Sequence, residues 1–568
     1  MVAPQSRQEH ELSNGSRYRP PESPQAGSCS MRVLASIVAI VLLIAAVIFG
    51  YFWNLQRAVQ QLAVSSSTAH ILAWPDRTTL DTRLGTLTGL SNGRVHAFLG
   101  IRYGKAPSGE HRFMPPRRAD PWSDVLDATT FGKRAWQKTQ TATETNDVAQ
   151  MSEDSLALNI FTPATEDSPR PVLFWIHGGA YVSGSGEYDG SVLAQQGDVV
   201  VVAINYRLGI LGFLDLSSYG DEFTGSHANG IRDQILALNW VRDNIADYGG
   251  DPGNVTIFGE SAGGGSVMSI LAAPTADGLY HRAISHSGPS VLAVPRKKDD
   301  WRQRLADQLS VDITDLATTL KSLPANEIIN AQDGANYRTG RAVDGTVVTR
   351  TPEQALIERG NNGVPLIAGS NRDEGNFFSR MMPPMTYDMM ARGMVPPTAG
   401  VSGDEYVDQL AEEYPQDSSK QRIERMLNEV FHRPATNWAV RASAAGPGGW
   451  LYRFDLPSQV PDLGAAHALE IAFTFNNFAG GAPDDAFLYD RNDPQVRKLA
   501  LDWSNTIIRF ARSGDPNGAG LPSWPRYTAE TRQAMILDAA PRIDANIYLQ
   551  ERTRWGHMES SSAQLQQP

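Results

Sequence analysis

One turn constrains this chain more than any other stretch: Gly259-Glu260-Ser261-Ala262-Gly263. A β-like run, 255–258, precedes it, and a helix-like run, 264–271, follows it. A strand that reverses directly into a helix through G-x-S-x-G holds its serine on a sharp, strained turn, and the glycines avoid collisions between a Cβ and neighbouring backbone. The serine hydroxyl then stands at a helix N-terminus, where unpaired N–H groups and the helix dipole favour negative charge. The pattern predicts Ser261 as a nucleophile.

A second copy of the same pattern, Gly89-Leu90-Ser91-Asn92-Gly93, has a different context. It ends in Asn-Gly and lies between two short alternating runs, and no helix-like run follows it. Asn-Gly between alternating runs is typical of a β-hairpin turn. We therefore interpret this copy as a hairpin and do not assign Ser91 a chemical role.

Composition narrows the classes of partner and site. The chain has 568 residues and a formal net charge of −12, which argues against nucleic acid, because a phosphate backbone requires a basic face. Its one cysteine, Cys29, excludes an intramolecular disulfide. The sequence contains neither a C-x-x-C nor an H-E-x-x-H pattern, and we predict no metal or cofactor.

The N-terminal region predicts a membrane anchor. Residues 1–32 are polar and typical of disorder. The segment 33–53 carries no charge and is long enough to cross a bilayer as a single transmembrane helix, with an aromatic edge at its end. Residues 54–80 are interpreted as a stalk, so that the predicted arrangement is a retained signal-anchor.

Flanking charges predict how this span is oriented. Arg17, Arg19 and Arg32 precede it, and only Arg57 follows closely. The positive-inside rule then leaves the N-terminus in the cytoplasm and the remainder outside it. The alternative is a signal peptide that starts at Met31 and is cleaved, which would give a secreted protein.

The remaining chain, 81–556, is predicted as one catalytic α/β domain with a polar tail at 557–568. Runs 171–176 and 199–205 are continuously apolar, as in strands buried on both faces of a central sheet. Helical spacing at 231–246 then precedes the elbow strand, which is the order of a doubly wound sheet. After about residue 300 the pattern becomes mainly helical, which predicts insertions that cover the site.

A serine nucleophile needs a base and an acid, and in this fold class they follow it in the order acid, then histidine. His467 is preferred as the base because it follows a strand-like run, 451–454, and a loop; His432 lies in a helical pattern and His557 near the tail. The acid is expected just after the strand-like run 365–369, where Asp373 and Glu374 both qualify from sequence alone.

The nucleophile also needs donors for the oxyanion of the tetrahedral intermediate. The stretch His177-Gly178-Gly179-Ala180 follows a predicted strand, in the position of the H-G-G-G type motif. We expect the N–H groups of Gly179 and Ala180, with the N–H of Ala262, to form this oxyanion hole.

Several separate stretches, in this order, resemble the type B carboxylesterase/cholinesterase family: 98–113, 152–160, 249–263, 373–375, 515–517 and 524–525. The resemblance runs from about residue 84 to 540. It implies an α/β-hydrolase fold, with a central mostly parallel sheet flanked by helices and large helical insertions. It also implies a serine carboxylic ester hydrolase with Ser261 as nucleophile, Glu374 rather than Asp373 as acid, and His467 as base.

The resemblance further implies supporting residues around the imidazole. Glu260 and Glu470 are expected as buried acids near it, and Ser287 as a supporting hydroxyl. A structural ion pair is expected between Arg112 and Glu153.

The chain departs from this family in three places. Two positions where members commonly carry a cysteine pair look like Ala135 and Ser155 here, as in a bacterial-type member. The loop 137–151 has no tryptophan matching the choline-site residue of cholinesterases, which argues against a quaternary-ammonium site. The third glycine of the oxyanion motif is Ala180, which keeps its N–H.

These features together predict a membrane-anchored serine esterase that acts on small-molecule esters through an acyl-enzyme. Activity is expected to fall below about pH 6 to 6.5 as His467 is protonated. Lipase or amidase specificity is the alternative within enzymes. A non-catalytic, neuroligin-like adhesion ectodomain is the alternative outside them, although its relatives lack the nucleophile that this chain retains as Ser261.

Overall fold

The computed structural model describes residues 68–138, 148–165, 169–289, 301–335, 343, 345–360, 363–393, 403–479, 488–518 and 520–555. The predicted disordered segment 1–32, the predicted span 33–53 and the tail 557–568, with His557, lie outside the described residues. Within the described ranges, no helix is both long enough and apolar enough to cross a membrane.

The described strands form one large mixed sheet. They are β1 (Asp76–Thr82), β2 (Gly85–Ser91), β3 (Val95–Arg102), β4 (Leu126–Asp127), β5 (Ala157–Pro163), β6 (Arg170–Ile176), β7 (Val200–Ile204), β8 (Gly250–Glu260), β9 (Arg282–His286), β10 (Leu366–Asn371), β11 (Gly449–Phe454), β12 (Ala534–Leu537) and β13 (Arg542–Asp544). Their order across the sheet is β1-β2-β3-β5-β7-β6-β8-β9-β10-β11-β12-β13, and β4 pairs with β2. The strand-like apolar runs of the sequence supply its centre, since every residue of β6 and β7 is buried.

The centre of this sheet is parallel and its edges are antiparallel. From β7 through β6, β8, β9, β10 and β11 to β12, each neighbouring pair is parallel. Along the strand order, the pairs β1–β2, β2–β3, β3–β5, β5–β7 and β12–β13 are antiparallel, whereas β4 runs parallel to β2. Because parallel strands end at the same edge, the segments that follow β6, β8, β9, β10 and β11 meet there, and they carry the predicted site residues.

Helices cover both faces of the sheet and fill the insertions. They are α1 (Ala69–Leu72), α2 (Ser191–Gly197), α3 (Gly209–Phe213), α4 (Asn229–Asn244), α5 (Ala262–Leu271), α6 (Trp301–Leu309), α7 (Leu316–Ser322), α8 (Ala325–Gly334), α9 (Pro352–Arg359), α10 (Glu374–Ser379), α11 (Tyr387–Gly393), α12 (Gly403–Glu413), α13 (Ser419–Ala445), α14 (Ile471–Thr474), α15 (Pro494–Ser513) and α16 (Leu549–Arg554).

The two faces of the sheet carry separate cores. Phe174 and Ile176 of β6 pack into one core with residues of α4 and α5. Leu173 and Trp175, which alternate with them, pack into a second core with residues of α15. Successive side chains of a strand point to opposite faces, so a continuously apolar run is what a strand between two helical layers requires.

The predicted helical insertions form two smaller cores of their own. Residues of α6, α7 and α8 pack with α3, and residues of α11, α12 and α13 pack together. The second of these lies next to the site, because α13 also contacts α10, which begins at Glu374.

The structure changes the boundary of the predicted stalk, 54–80. In the described part of this segment, Ile71 of α1 is fully buried, and residues from Asp76 onward form β1, which pairs with β2 along its whole length. β1 is mostly polar and half exposed, so its sequence alone resembles a linker; its pairing with the more apolar β2 determines its structure. The second G-x-S-x-G copy ends β2 and turns into β3, with Ser91 opposite His96, as the hairpin interpretation requires.

The ion pair implied between Arg112 and Glu153 is present. The Arg112 guanidinium donates to both carboxylate oxygens of Glu153, at 2.7 and 2.6 Å, and to the backbone carbonyls of Leu320 and Leu323, each at 2.6 Å. Both side chains are largely buried. The pair therefore joins the start of the domain to the helical insertion that contains α7, and losing one partner of a buried pair typically costs about 3 to 5 kcal/mol.

Ala135 and Ser155 are both buried, and they line one small cavity. The Ser155 hydroxyl has no hydrogen-bond partner among the described residues. The adjacent backbone is held by two hydrogen bonds: the Arg134 N–H donates to the Gln150 carbonyl at 2.8 Å, and the Ser152 N–H donates to the Arg134 carbonyl at 2.9 Å.

Candidate active site

Ser261 stands on the elbow between β8 and α5. Its φ is 54° and its ψ is −121°, a strained conformation for a residue with a Cβ. The Ser261 N–H donates to the His286 carbonyl at 2.9 Å, which fixes the turn against β9. A Cβ on Gly263 would lie 2.0 Å from the carbonyl oxygen of Ile176. The glycines of the motif are therefore required because the elbow passes directly against β6.

The turn after β6 lies beside this serine. A Cβ on Gly178 would lie 3.1 Å from the Ser261 Cβ. Gly179 and Ala180 both have positive φ, 97° and 53°. Within the described residues, no acceptor takes the N–H of Gly179, Ala180 or Ala262. This arrangement leaves three peptide donors at the elbow, one of them in the first turn of α5.

Glu374 is fully buried at the start of α10, directly after β10. One of its carboxylate oxygens accepts hydrogen bonds from the Ser287 hydroxyl at 2.7 Å and from the Asn371 N–H at 2.8 Å. Its other oxygen accepts from Nδ1 of His467 at 2.5 Å. A carboxylate that accepts at Nδ1 fixes the imidazole tautomer and leaves Nε2 directed away from the acid.

Asp373, the other candidate acid, faces a different partner. Its carboxylate accepts from the Ala465 N–H at 2.9 Å, and its own N–H donates to the Ala465 carbonyl at 2.9 Å. Asp373 therefore holds the loop that leads to His467, while Glu374 contacts the imidazole itself.

His467 lies between two carboxylates. Its Nδ1 contacts Glu374, and its Nε2 lies 3.1 Å from Oε1 of Glu260, although that oxygen has no partner of hydrogen-bond geometry. No hydrogen bond among the described residues joins the imidazole to the Ser261 hydroxyl. Glu260 immediately precedes Ser261, so the ring lies beside the elbow with Nε2 turned toward the carboxylate. Hydrogen bonds of this kind are often long before a substrate is bound.

An aromatic wall fixes the other side of the imidazole. The ring centroids of Phe378 and Phe431 lie 4.9 and 4.6 Å from that of His467, and these two phenylalanines stack at 9°. His432, the neighbour of Phe431 on α13, donates from Nε2 to the Asn371 carbonyl at 2.8 Å. His432 therefore lies behind the acid and not at the serine.

Burial and charge shift three pKa values in this cluster. Burial lowers the pKa of His467, but the charges of Glu260 and Glu374 outweigh it and raise that pKa to about 9. Burial raises the pKa of Glu260 to about 8, against the attraction of His467. Burial and the charge of Glu374 raise the pKa of Glu470 to about 7. The expectation of an onset near pH 6 to 6.5 assumed an ordinary imidazole, and the raised pKa of His467 moves the expected onset to higher pH.

The pH profile of kcat/KM tests this electrostatic arrangement. A general base must be neutral to accept a proton, so a raised His467 pKa is expected to place the acid limb above pH 6.5. Glu260→Gln removes the negative charge nearest to Nε2 and is expected to lower the midpoint by about one pH unit, equivalent to about 1.4 kcal/mol. Rates of p-nitrophenyl acetate hydrolysis from pH 5 to 10 measure the midpoint of the acid limb in the unmodified protein and in Glu260→Gln. The exposed Glu530→Gln is the control, and an unmoved midpoint in Glu260→Gln contradicts the assignment.

The residues of this site that were not predicted from the sequence include Asn371, Phe378, Phe431 and Tyr181. Asn371 donates from its side chain to Glu470 at 2.6 Å and to the Ala466 carbonyl at 2.6 Å, in addition to its backbone bond to Glu374. Phe431 contacts the imidazole from a helix that is distant in sequence. Tyr181 directly follows Ala180 in the turn after β6, and its hydroxyl donates to the Ala262 carbonyl at the elbow. The position of Asn371 at the end of a buried strand was a usable signal; nothing local marks Phe431.

Residues 76–555 match the sequence profile of the carboxylesterase family. The chain belongs to that family. The resemblance drawn from the motifs is thereby confirmed, and the protein is a carboxylic ester hydrolase. The para-nitrobenzyl esterase of Bacillus subtilis (strain 168) is 35% identical over 481 residues, which cover 82% of this chain and 95% of the relative. The liver carboxylesterase of Sus scrofa is 33% identical over 585 residues, which cover 91% of this chain and 99% of the relative.

Solved carboxylesterases share the fold. The crystal structure of a carboxylesterase from Geobacillus stearothermophilus at pH 6.2 superposes with a TM-score of 0.74 at 38% identity, covering 84% of this chain and all of that one. The carboxylesterase chain thus has the α/β-hydrolase fold that its motifs imply. Within the part of the chain that the structure describes, no cluster of three or more His, Cys, Asp or Glu residues could hold a metal ion.

Proposed function

We propose that this carboxylesterase hydrolyses its substrates through an acyl-enzyme formed on Ser261. In the first half, Nε2 of His467 accepts the Ser261 proton as the hydroxyl oxygen attacks the ester carbonyl. The imidazolium then donates that proton to the departing alcohol. In the second half, water attacks the acyl-enzyme by the same route, and the carboxylic acid leaves.

The negative charge that develops on the carbonyl oxygen is stabilised by the N–H groups of Gly179, Ala180 and Ala262. These donors belong to the elbow and to the turn beside it, and they have no competing acceptor within the described residues. Preorganised donors of this kind are worth about 3 kcal/mol each in the transition state. Glu374 holds the imidazole tautomer and stabilises its charged form, and Ser287 and Asn371 hold Glu374.

One observation carries this proposal: the buried Glu374–His467 hydrogen bond, at 2.5 Å, lies beside an elbow whose serine follows Glu260. For Nε2 to accept the Ser261 proton, it must turn from the Glu260 carboxylate to the hydroxyl. Acyl transfer needs these groups in reach of one another, and the segments that carry them follow β8, β10 and β11, which are parallel strands of one sheet.

We propose carboxylic esters of small molecules as the substrate class, because the relatives include a para-nitrobenzyl esterase and liver carboxylesterases. A fluorophosphonate, which forms a stable adduct with an activated serine, tests the mechanism. Peptide mapping is expected to find the adduct on Ser261, with loss of p-nitrophenyl ester hydrolysis in proportion to labelling. An adduct on another serine, with hydrolysis lost, contradicts the assignment.

Specificity is tested with matched acyl groups. A p-nitrophenyl ester series of increasing acyl length and the p-nitroanilide of the best acyl group separate esterase from lipase and amidase activity. We expect short and medium esters to be cleaved much faster than the anilide; comparable rates on the anilide support the amidase alternative.

We also propose that residues 33–53 anchor the protein in a membrane with the catalytic domain outside the cytoplasm. This proposal depends on the uncharged apolar run and its flanking arginines. Protease added to intact cells is expected to digest the domain, whereas digestion only after lysis contradicts the orientation. Cell fractionation separates the anchor from a cleaved signal peptide. A retained anchor leaves full-length protein in the membrane fraction, whereas a cleaved signal peptide gives a shortened protein in the medium.

A further inference from the structure

The turn that supplies two of the oxyanion donors has an unusual backbone. Gly179, Ala180 and Tyr181 have φ values of 97°, 53° and 63° in succession. Glycine adopts positive φ readily, but a run that includes two residues with a Cβ is strained. Such a run persists only where the surrounding contacts determine it, so the structure must contain groups that hold this turn.

The Tyr181 side chain is one of these groups. It is buried, and its hydroxyl donates to the backbone carbonyl of Ala262 at 2.6 Å. Its ring lies 5.0 Å from that of Phe213, and its own carbonyl accepts from the Gly209 N–H at 2.7 Å. Tyr181 is thus attached on one side to α3, which follows β7, and on the other to the elbow.

Neighbouring donors support the direction of the tyrosine hydrogen bond. The Gln234 amide donates to the Ser266 hydroxyl at 3.0 Å, and the Ser266 hydroxyl donates to the Tyr181 oxygen at 3.4 Å. With that oxygen accepting from Ser266, the Tyr181 proton is directed at the Ala262 carbonyl. These groups are buried, where a hydrogen bond is stronger than in water.

We propose that Tyr181 is a positioning residue that fixes the two parts of the oxyanion hole relative to each other. It directly follows Ala180, which supplies one donor, and it binds Ala262, which supplies another from the elbow. One buried hydrogen bond therefore joins the turn after β6 to the first residue of α5. This role depends on the proposed acyl-enzyme mechanism, because it concerns the donors that serve its tetrahedral intermediate.

The role predicts a specific kinetic effect. Complete loss of one oxyanion donor typically lowers kcat by about 10² to 10³-fold. Tyr181→Phe keeps the ring and its packing but removes the link, so the donors are displaced rather than lost. We expect kcat to fall by about tenfold to a hundredfold with KM changed by less than about threefold, because the donors act mainly on the transition state.

Tyr248→Phe is the matched control. Tyr248 is also a buried tyrosine, it packs against Phe98 and Trp240, and its hydroxyl has no hydrogen-bond partner among the described residues. Its variant therefore loses the same atom without breaking a link at the site. We expect its kcat to match that of the unmodified protein.

A trifluoromethyl ketone provides a readout that a purely structural role would not change. It adds to the serine and places an oxyanion in the hole, so its inhibition constant is expected to rise in Tyr181→Phe by the same factor by which kcat/KM falls. Thermal unfolding of each variant shows whether the protein is folded at the assay temperature.

The outcomes separate this inference from the mechanism on which it depends. If the unmodified protein is active and labelled at Ser261, but Tyr181→Phe keeps its kcat and inhibitor affinity, the positioning role is wrong. A fall in kcat that comes with unchanged inhibitor affinity, or with an equal fall in Tyr248→Phe, also overturns it. If the unmodified protein is not labelled at Ser261, the mechanism itself fails.

Discussion

Replacing Ser261 with alanine is expected to lower kcat for p-nitrophenyl esters by about 10⁶-fold, the loss typical of removing the nucleophile of a serine hydrolase. Without the hydroxyl no acyl-enzyme can form, and water must attack the ester directly. The donors at Gly179, Ala180 and Ala262 stay in place, so a residual acceleration of about 10³ to 10⁴ over water is expected from the oxyanion hole and binding. Initial rates at high enzyme concentration, with the fluorophosphonate-treated protein as background, measure the loss.

The chain offers a matched control in its second G-x-S-x-G copy. Ser91→Ala changes a buried serine in the same local sequence pattern, where the hydroxyl accepts from the Gly93 N–H in a hairpin. We expect full activity from it. Equal rates from the Ser261→Ala protein and the unmodified protein, both folded by circular dichroism, would refute the serine mechanism.

The central fold and the elbow were predictable because their signals are local. Strand β6 is a continuously apolar run, and burial on both faces requires that composition. The glycines at 259 and 263 mark the elbow because a Cβ there meets backbone. The turn at Gly179 was also recognisable from a local signal, because its glycines directly follow the continuously apolar strand β6.

Other features depend on contacts that are distant in sequence. Asp373 and Glu374 are adjacent carboxylates after one strand, and sequence spacing alone could not separate them. The start of α10 directs Glu374 toward His467, while Asp373 turns to the backbone of Ala465. Strand β1, at the end of the predicted stalk, was not predicted because its polar sequence carries no strand signal of its own. Its pairing with β2 determines its structure.

The expectation of a pH onset near 6 to 6.5 treated the imidazole as isolated, and the structure gives it two charged neighbours. Glu260 precedes the nucleophile and Glu374 follows β10, and the fold places His467 between them. Two carboxylates in a buried site favour the protonated ring despite the cost of burying its charge. The same contact directs Nε2 to Glu260, so a single carboxylate affects both the protonation of the base and the direction in which Nε2 points.

Glu374→Gln is expected to lower kcat by about 10⁴-fold, because an amide no longer fixes the imidazole tautomer or stabilises its charged form. The Ser287 hydroxyl and the Asn371 N–H can still bind the amide oxygen, so the fold is expected to persist. Asp373→Asn is the matched control. It removes a neighbouring carboxylate that binds backbone at Ala465 and does not contact the imidazole, so it is expected to change kcat by less than about tenfold, equivalent to about 1.4 kcal/mol. Steady-state rates on p-nitrophenyl acetate compare the two. A large loss in Asp373→Asn with near-full activity in Glu374→Gln would reverse the choice of acid, because only the group that orients the base and stabilises its charged form can have so large an effect.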